Sequence, residues 1–252
     1  MFRDFINKIM SILLIPVAPL TRTKSRLRDC FSNEQLKELT IAMFKDLGKK
    51  LLDVDCYDRK IVYCNTPEIL DLTKEYDLIG IKEEISDPPK SFDEVIGDLN
   101  NIAIEKYDAN QSVFSFLDLV LISAKNFYEI NSLIKNNELV ICPAIHSAGI
   151  SVLGRNPPDI ISSFFSDPNI PSLLALLTNA SKKGIEKIAI YDSFRAGFDV
   201  DIIQDLVLAY NYLKIFNLIN TEVFKFLKVN LRLSFKKVDA NNNRNFRIIK
   251  RE

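Results

Sequence analysis

Short apolar runs alternate with amphipathic helical patterns along most of this chain. The stretch from Ser11 to Val17 is almost entirely apolar and predicts a buried first strand. Other short runs with apolar or β-branched centres predict further strands, at residues 60–64, 77–81, 113–117, 138–142, 150–153 and 187–190. The pattern is typical of a chain in which strands and helices follow one another in turn.

Local signals mark where the intervening helices begin. Gln35 lies three residues after Ser32, and Glu94 lies three residues after Ser91, which is the spacing of a capping box. Pro67 suits the first turn of a helix, where a backbone N–H would have no partner in any case. Helical periodicity predicts further helices in the second half of the chain, at residues 172–183 and 204–213.

This alternation predicts an α/β fold of three layers, in which helices cover both faces of a doubly wound, mostly parallel sheet. We expect residues 1–237 to form a single domain that begins with a short extension at residues 1–9, and residues 238–252 to form a polar tail. In such sheets, ligands bind beyond the carboxyl ends of the strands. That rule selects three loops, which follow Val17, Leu117 and Ile190.

The composition is that of an ordinary soluble globular protein of 252 residues, with 47% apolar and 26% charged residues. Lys and Arg together number 33, as do Asp and Glu, so no excess of positive charge is available for a nucleic-acid backbone. None of the four cysteines belongs to a C-x-x-C pair, which argues against a zinc or redox site. We expect buried thiols in a reducing compartment.

The start of the chain allows two interpretations. Residues 9–18 are apolar and follow Arg3 and Lys8, a pattern that also occurs in short signal peptides. The run is too short to span a bilayer. A loop rich in cations follows it directly, without a small-residue cleavage site, and this favours the buried strand. We therefore expect a cytoplasmic protein without a membrane partner.

The loop at residues 19–27 carries three cations, Arg22, Lys24 and Arg26, just after the first predicted strand. Cations at a strand end are suited to neutralise a triphosphate. A solvated basic surface loop is the ordinary alternative, and the P-loop sequence G-x-x-x-x-G-K-[ST] is absent from the chain.

Acidic residues follow two other predicted strands. Asp199 and Asp201 alternate in the sequence and precede Asp205, while Asp118 ends the apolar run 113–117. Carboxylates that converge from two strands can hold Mg²⁺ and support phosphoryl or nucleotidyl transfer. The alternatives are that Asp201 or Asp205 caps the following helix and that Asp118 lies at the surface.

His146 is the only histidine of the chain, and it lies in a polar loop. Since no Ser or Cys stands in a recognisable triad setting, we reject nucleophilic hydrolysis. A contact with phosphate or acid is conceivable for His146, but an uninvolved surface histidine is the simpler interpretation.

Taken together, these segments resemble the 2-phospho-L-lactate guanylyltransferase family of coenzyme F-420 biosynthesis, a branch of the nucleotide-diphospho-sugar transferase fold. The resemblance extends over residues 14–237. Its closest part joins Tyr191-Asp192-Ser193 to the acidic motif that runs from Asp199 to Leu206. Weaker matches are found in the opening strand and its loop and around Leu99-Asn100 and Asp118-Leu119, where the family has Leu-Asn-x-Ala and Asp-Leu-Pro-Leu.

The family transfers a guanylyl group from GTP to the phosphate of a three-carbon phospho-acid and releases pyrophosphate. The resemblance implies an archaeal, cytoplasmic homodimer that needs Mg²⁺ and binds GTP and a small phospho-acid. Residues carried over from the family fall into four overlapping groups: Lys24, Asp118 and Asp201 for catalysis; Asp118, Asp199 and Asp201 for Mg²⁺; Lys24, Arg26, Asn100 and Gly149 for the nucleotide; and Ser151 and Ser172 for the acid.

The sequence also departs from the family pattern on the side of the acid. Ile150 stands where the family's Gly-Thr-Asn loop has its threonine, and Ser151 stands where it has asparagine. An isoleucine side chain cannot donate a hydrogen bond. The altered loop is consistent with a shifted acid substrate, such as phosphoenolpyruvate, or with another nucleotidyltransferase of the same fold. It is also consistent with a weakened or inactive relative that serves as a binding subunit.

Overall fold

A computed structural model describes residues 9–20, 24–238 and 246–250 of the chain. Its main sheet has seven strands: β1 (Ser11–Pro16), β2 (Arg59–Cys64), β3 (Ile79–Lys82), β4 (Gln111–Ser115), β5 (Leu139–Pro143), β6 (Ile150–Arg155) and β7 (Ile188–Ile190). They lie in the order β3-β2-β1-β4-β6-β5-β7. Every neighbouring pair is parallel except the two pairs that include β6.

Helices connect these strands and pack on the sheet. They are α1 (Asn33–Leu52), α2 (Pro67–Thr73), α3 (Phe92–Tyr107), α4 (Ala124–Ile134), α5 (Ser172–Lys182), α6 (Phe194–Gly197), α7 (Ile203–Ile215) and α8 (Glu222–Asn230). Both predicted capping boxes are confirmed, because Ser32 and Ser91 each exchange two hydrogen bonds with the residue three positions later. The helices α4 and α8 were not among those predicted from the sequence.

The predicted doubly wound, mostly parallel sheet is confirmed. The sequence did not predict which strand runs in the opposite direction. That strand is β6, which follows β5 after the short loop 144–149. A connection of this length can join antiparallel neighbours, whereas a parallel pair needs a crossover of a dozen residues or more.

Both faces of the sheet are covered by buried apolar side chains. Successive residues of β1 serve opposite faces, so that Leu13 and Ile15 pack with α1 and α4 residues, while Ile12 and Leu14 pack with residues of α3 and α5. All four are fully buried. A continuous apolar run is therefore what this strand requires, since each of its faces meets a layer of helices.

The end of the chain differs from the expected polar tail. Phe246–Lys250 forms β9, which pairs antiparallel with β8 (Leu233–Lys237). The expected tail includes residues 239–245, and the expected N-terminal extension includes residues 1–8; both stretches lie outside the described residues. In the described ranges, no helix combines the length and the apolar character needed to cross a membrane.

Candidate active site

The site forms where the loops after β1, β4 and β7 meet at the carboxyl edge of the sheet. Lys24 is its centre: Nζ donates hydrogen bonds to Asp118 Oδ2 at 2.6 Å, to the Val200 carbonyl at 2.7 Å and to Asp201 Oδ1 at 3.2 Å. The Lys24 backbone has a φ of 49°, a left-handed conformation that is uncommon outside glycine. These loops are the three that the sheet topology selects, and they bring Lys24, Asp118 and Asp201 together.

Asp118 lies in a turn after β4, because β4 ends at Ser115 and not at Leu117 as predicted. The Asp118 carbonyl accepts hydrogen bonds from Val120 N at 2.9 Å and from Val200 N at 3.2 Å. The second of these bonds ties the loop after β4 to the loop that carries Asp199 and Asp201. The two acidic segments are thus fixed to each other through the backbone as well as through Lys24.

Burial and neighbouring charges alter the protonation of Lys24, Asp118 and Asp199. Burial raises the pKa of Asp118, and the charge of Asp201 adds to this, although Lys24 opposes both. Burial, followed by the charges of Asp118 and Asp201, raises the pKa of Asp199 to about 7. Burial by itself would lower the pKa of Lys24, but its two carboxylate partners outweigh that effect and raise it. The site therefore holds more negative charge than one lysine neutralises.

Two observations bear on a metal ion at this cluster. Asp118 Oδ1 is buried and has no hydrogen-bond partner, and the side chain of Asp118 as a whole is only 17% exposed. Such an orphaned oxygen fits a cation ligand, since buried polar atoms are normally satisfied. Within residues 9–20, 24–238 and 246–250, however, no three His, Cys, Asp or Glu side chains converge closely enough to hold a metal. Lys24 is the cation that Asp118 and Asp201 share in this conformation.

Asp205 is a helix cap and not a fourth ligand. Its Oδ2 accepts hydrogen bonds from the backbone N–H groups of Asp201 and Ile202, both at 2.9 Å, at the start of α7. Its Oδ1 lies 2.7 Å from His146 Nδ1. The capping alternative is therefore the one observed for Asp205. His146, interpreted above as an uninvolved surface residue, links the loop between β5 and β6 to the loop that carries Asp201.

Two cavities open beside the cluster. One, of about 490 Å³, lies towards the loop after β1 and is lined by Lys24, Asp118 and Asp201 together with apolar residues such as Met43. The other, of about 540 Å³, lies towards the loop between β5 and β6 and includes Asp199 in its wall. Asp118, Asp201 and the exposed side chain of Arg26 line both cavities, with Arg26 Nη1 at 3.8 Å from Asp201 Oδ2. The carboxylate cluster thus separates two spaces of ligand size.

The remaining predicted ligand-binding residues divide between the second cavity and the core. Gly149 and Ser172 line the second cavity, together with Ile150. Ser151 faces the other way: it is buried, and its hydroxyl donates to the Cys142 carbonyl at 3.0 Å. Its predicted contact with the acid substrate is not supported by this position, because alternate residues of a strand point to opposite faces.

Asn100 also lies away from both cavities. It is buried in the middle of α3, where its amide donates to the Pro158 carbonyl at 3.2 Å and accepts from Ser112 Oγ at 3.0 Å. The helix begins at Phe92, so Asn100 is more than two turns from the N-terminus that could face a nucleotide. The predicted nucleotide contact of Asn100 is therefore not supported. Arg22, the third predicted cation of the loop, lies outside the described residues.

An aromatic cluster that was not predicted from the sequence lies at the junction of the cavities. Phe92, Phe116 and Phe165 have ring centroids 5.4–5.7 Å apart. Phe92 and Phe116 line both cavities, and Phe165 lines the second. The rings come from three separate segments, and no periodicity of the sequence could have shown that they meet. The sequence indicated the surroundings of only one of these rings: Phe92 directly follows the capping serine, so it lies at the start of a predicted helix.

Comparison with known proteins shows to which family the chain belongs. The family model described as "Guanylyl transferase CofC like" matches residues 10–244. The chain belongs to this family. A 2-phospho-L-lactate guanylyltransferase from Methanocaldococcus jannaschii is 30% identical over 198 residues, which cover 77% of this chain and 80% of the relative. The enzyme of the same name from Methanocaldococcus fervens is 28% identical over 194 residues, which cover 77% of this chain and 82% of the relative.

Solved structures agree on the fold. A protein from Desulfovibrio desulfuricans, named for the nucleotide-diphospho-sugar transferases, superposes with a TM-score of 0.67 at 14% identity, over 87% of this chain and 94% of its own. A 4-diphosphocytidyl-2C-methyl-D-erythritol synthase from Anaerococcus prevotii superposes with a TM-score of 0.58 at 11% identity, over 83% and 98%. The expected nucleotide-diphospho-sugar transferase fold is confirmed by these likenesses, which at such identities concern the fold alone.

Proposed function

We propose that this protein is a guanylyltransferase that condenses GTP with 2-phospho-L-lactate, or a close analogue such as phosphoenolpyruvate, in coenzyme F-420 biosynthesis. A phosphate oxygen of the acid attacks the α-phosphorus of GTP, and the bond from that phosphorus to the β-phosphate oxygen breaks. Pyrophosphate leaves with the bonding electrons, and the acid becomes linked to guanosine through a diphosphate. The observation that carries this proposal is the cluster of Lys24 with Asp118 and Asp201 between two cavities.

The geometry suits a transfer that depends on position and charge. The attacking phosphate is already ionised at neutral pH, so the reaction needs no general base. A triphosphate in the first cavity would meet Lys24, with Arg26 at the boundary of the two cavities. Preorganised cations at the reacting phosphates stabilise the charge that moves to the leaving group. We assign Lys24, Asp118 and Asp201 as the catalytic residues.

We propose that Asp118, Asp199 and Asp201 hold Mg²⁺ in the working enzyme, after their side chains turn from the arrangement described here, in which they do not converge on one point. The orphaned Oδ1 of Asp118, together with the raised pKa of Asp199, supports a cation in addition to Lys24. When bound, such an ion would neutralise phosphate charge and polarise the α-phosphate. Lys24, freed from part of its carboxylate contacts, would then be available to the triphosphate.

The second cavity is the proposed place for the acid. Ser172 is the first residue of α5, and the positive end of this helix dipole favours an anion nearby. Gly149 leaves room at the loop, with its N–H already bonded to Ser147 Oγ at 3.2 Å. Ile150 provides an apolar wall where the family has a threonine. This combination supports a small phospho-acid and leaves its identity to experiment. By analogy with the family, we also propose that the protein is a homodimer in the cytoplasm.

The experiment that tests the function follows the product directly. The full chain is incubated with GTP and Mg²⁺ and, in separate reactions, with 2-phospho-L-lactate, phosphoenolpyruvate or 3-phosphoglycerate. We expect mass spectrometry to detect the corresponding diphosphate-linked guanosine with at least one acid, in amounts equal to the pyrophosphate released. If no acid yields a product, the proposed transfer is wrong. The alternative of a binding subunit, which the loss of the threonine at Ile150 favours, would then replace it.

A further inference from the structure

A third cavity adjoins the first on the side away from the carboxylates. It has a volume of about 660 Å³ and lies between the loop after β1 and the segment 83–90, beyond the ends of β2 and β3. Pro16, Val17, Ala18 and Phe92 line both this cavity and the one that contains Lys24. A nucleotide whose phosphates lie at Lys24 can therefore extend its base past these four residues into the third cavity.

The sides of this cavity are apolar and partly exposed. Ile85 is 81% exposed and Phe92 is 40% exposed, so both side chains can be covered by a ligand. Phe92 is held by its contacts with the rings of Phe116 and Phe165, with centroid distances of 5.7 and 5.6 Å. A flat heteroaromatic ring between such walls would cover Ile85 and pack on Phe92, and stacking of this kind accepts any base.

Half of the polar residues that line the cavity are acidic, and the others are Asn65, Ser86 and Lys90. Glu83, Glu84 and Asp87 all line it, and Glu83 is the least exposed of the three. Burial raises the pKa of Glu83, so its charged form lacks full solvation there. Among the described residues, no hydrogen-bond donor contacts its carboxylate. The charge of Lys90, which also lines the cavity, partly opposes the rise in the pKa of Glu83, but its Nζ lies 2.5 Å from Asp98 Oδ2 and does not bond to Glu83.

We propose that this cavity is the base subsite and that the Glu83 carboxylate selects guanine by accepting hydrogen bonds from N1–H and the N2 amino group. This inference rests on the proposed function, because it concerns the nucleotide of the same reaction. Guanine presents two adjacent donors on that edge, and an ionised carboxylate has two acceptor oxygens in matching positions. Adenine presents an unprotonated ring nitrogen at the same place, and a carboxylate would repel its lone pair.

The proposal is tested by measuring nucleotide binding in the absence of any phospho-acid, because no transfer can then occur. Isothermal titration calorimetry of the full chain gives the dissociation constants of GTP and of ITP, which lacks only the N2 amino group, in the presence of Mg²⁺. We expect the native protein to bind GTP at least about tenfold more tightly than ITP, because the loss of a hydrogen bond to a charged group weakens binding by about that factor. In Glu83→Gln the ratio should fall to within about threefold.

Three further variants separate the contributions. Glu105→Gln removes an exposed charge from α3, and it should keep the native ratio. Glu84→Gln tests the adjacent acid, and a larger loss of selectivity there than in Glu83→Gln would overturn the assignment to Glu83. Phe92→Ala should weaken GTP and ITP by the same factor, because packing against the ring does not involve the amino group. Circular dichroism confirms that each variant is folded.

The outcomes distinguish this proposal from the function itself. A native protein that does not discriminate between GTP and ITP, or a Glu83→Gln variant that keeps the native ratio, overturns the base subsite even if transfer occurs. Loss of selectivity in Glu83→Gln supports the subsite even if no acid yields a product. In that case the proposed transfer alone would be wrong.

Discussion

At the scale of single residues, the site is governed by an imbalance of charge. Lys24 is 13% exposed and is shared by Asp118 and Asp201, and the only other cation paired with them among the described residues is the exposed Arg26, at 3.8 Å from Asp201. Asp199 lacks a comparable cation and is left with a pKa of about 7. Like charges held together in a partly buried site disfavour ionisation and cost stability. A cation that binds at these carboxylates therefore stabilises the folded protein, and this is the physical basis of the proposed metal dependence.

The protonation of Asp199 predicts how the stability of the metal-free protein depends on pH. Because the pKa is higher in the folded state than in the unfolded chain, the folded state binds more protons between about pH 4 and pH 7. The free energy of unfolding should fall as the pH rises through that window, and the penalty should be complete above it. In Asp199→Asn this part of the decline should vanish, as measured by urea unfolding in EDTA at pH 5 and pH 7.5. An unchanged difference between the two pH values would contradict the account.

At single positions, the sequence could predict which residues lie close together, but it could not predict which of them face a cavity. The acids and Lys24 were identified because they follow strands whose carboxyl ends meet. Asn100 and Ser151 were assigned by likeness to family motifs. Their side chains are used inside the fold, because α3 begins two turns before Asn100 and because Ser151 points to the opposite face of β6.

At the scale of elements, the short α6 and the loop between β5 and β6 are closely fitted. Ile145 N donates to the Gly197 carbonyl at 2.9 Å. A Cβ atom on Gly197 would lie 2.6 Å from the Pro143 carbonyl oxygen. Only glycine allows α6 to approach the end of β5 so closely. This approach holds the loop that carries His146 and Gly149 next to the segment that carries Asp199.

A pair of glycine substitutions tests that fit. Gly197→Ala should lower the free energy of unfolding by about 1–3 kcal/mol, because the new methyl group forces backbone apart in a packed region. Gly97→Ala is the matched change in open space, since nothing lies within 4 Å of its added Cβ in α3. It should stabilise the protein by about 0.5–1 kcal/mol, because alanine loses less entropy in a helix. Urea unfolding of both variants gives the two values, and equal signs would refute the packing argument.

The helices and strands could be predicted where the sequence features that determine them lie within a few neighbouring residues. The capping boxes at Ser32 and Ser91 and the apolar run of β1 each depend on a few neighbouring residues. The direction of β6 depends on how a short loop lets two strands pair, and the apolar pattern of a strand is the same in either direction. The strand β9 follows the polar residues 239–245 of the sequence, and its five residues alone do not show that they pair with β8.

At the scale of the whole molecule, the three cavities described above lie together at the carboxyl edge of the sheet. Helices cover both faces of this sheet. The sheet and its helices form a rigid frame of fully buried side chains, and the loops at its carboxyl edge carry the charged groups. The carboxylates of Asp118 and Asp201 disfavour the charged form of Asp199, and the exposed Phe92 and Ile85 line the adjoining cavity. Ligands that bind there should therefore stabilise the whole domain and not just its loops.

Thermal unfolding measures that stabilisation. GTP and Mg²⁺ together, at about one hundred times the dissociation constant, should raise the free energy of unfolding by about 2.7 kcal/mol. For a domain of this size, the midpoint of unfolding should rise by roughly 5–10 °C. Either ligand alone should have a smaller effect, because the triphosphate and the carboxylates repel each other without the cation. Equal shifts with GTP alone and with both ligands would contradict the role of Mg²⁺.

The central claim is that the carboxylate cluster at the edge of the sheet performs nucleotidyl transfer. The most direct measurement is the rate of pyrophosphate release from GTP and Mg²⁺, with and without 2-phospho-L-lactate, in the native protein and in Asp118→Asn. Asp71→Asn, an exposed change on α2, is the control. We predict release that requires the acid, that falls at least about 100-fold in Asp118→Asn and that is unchanged in the control. Acid-dependent release at the native rate in Asp118→Asn would contradict the account.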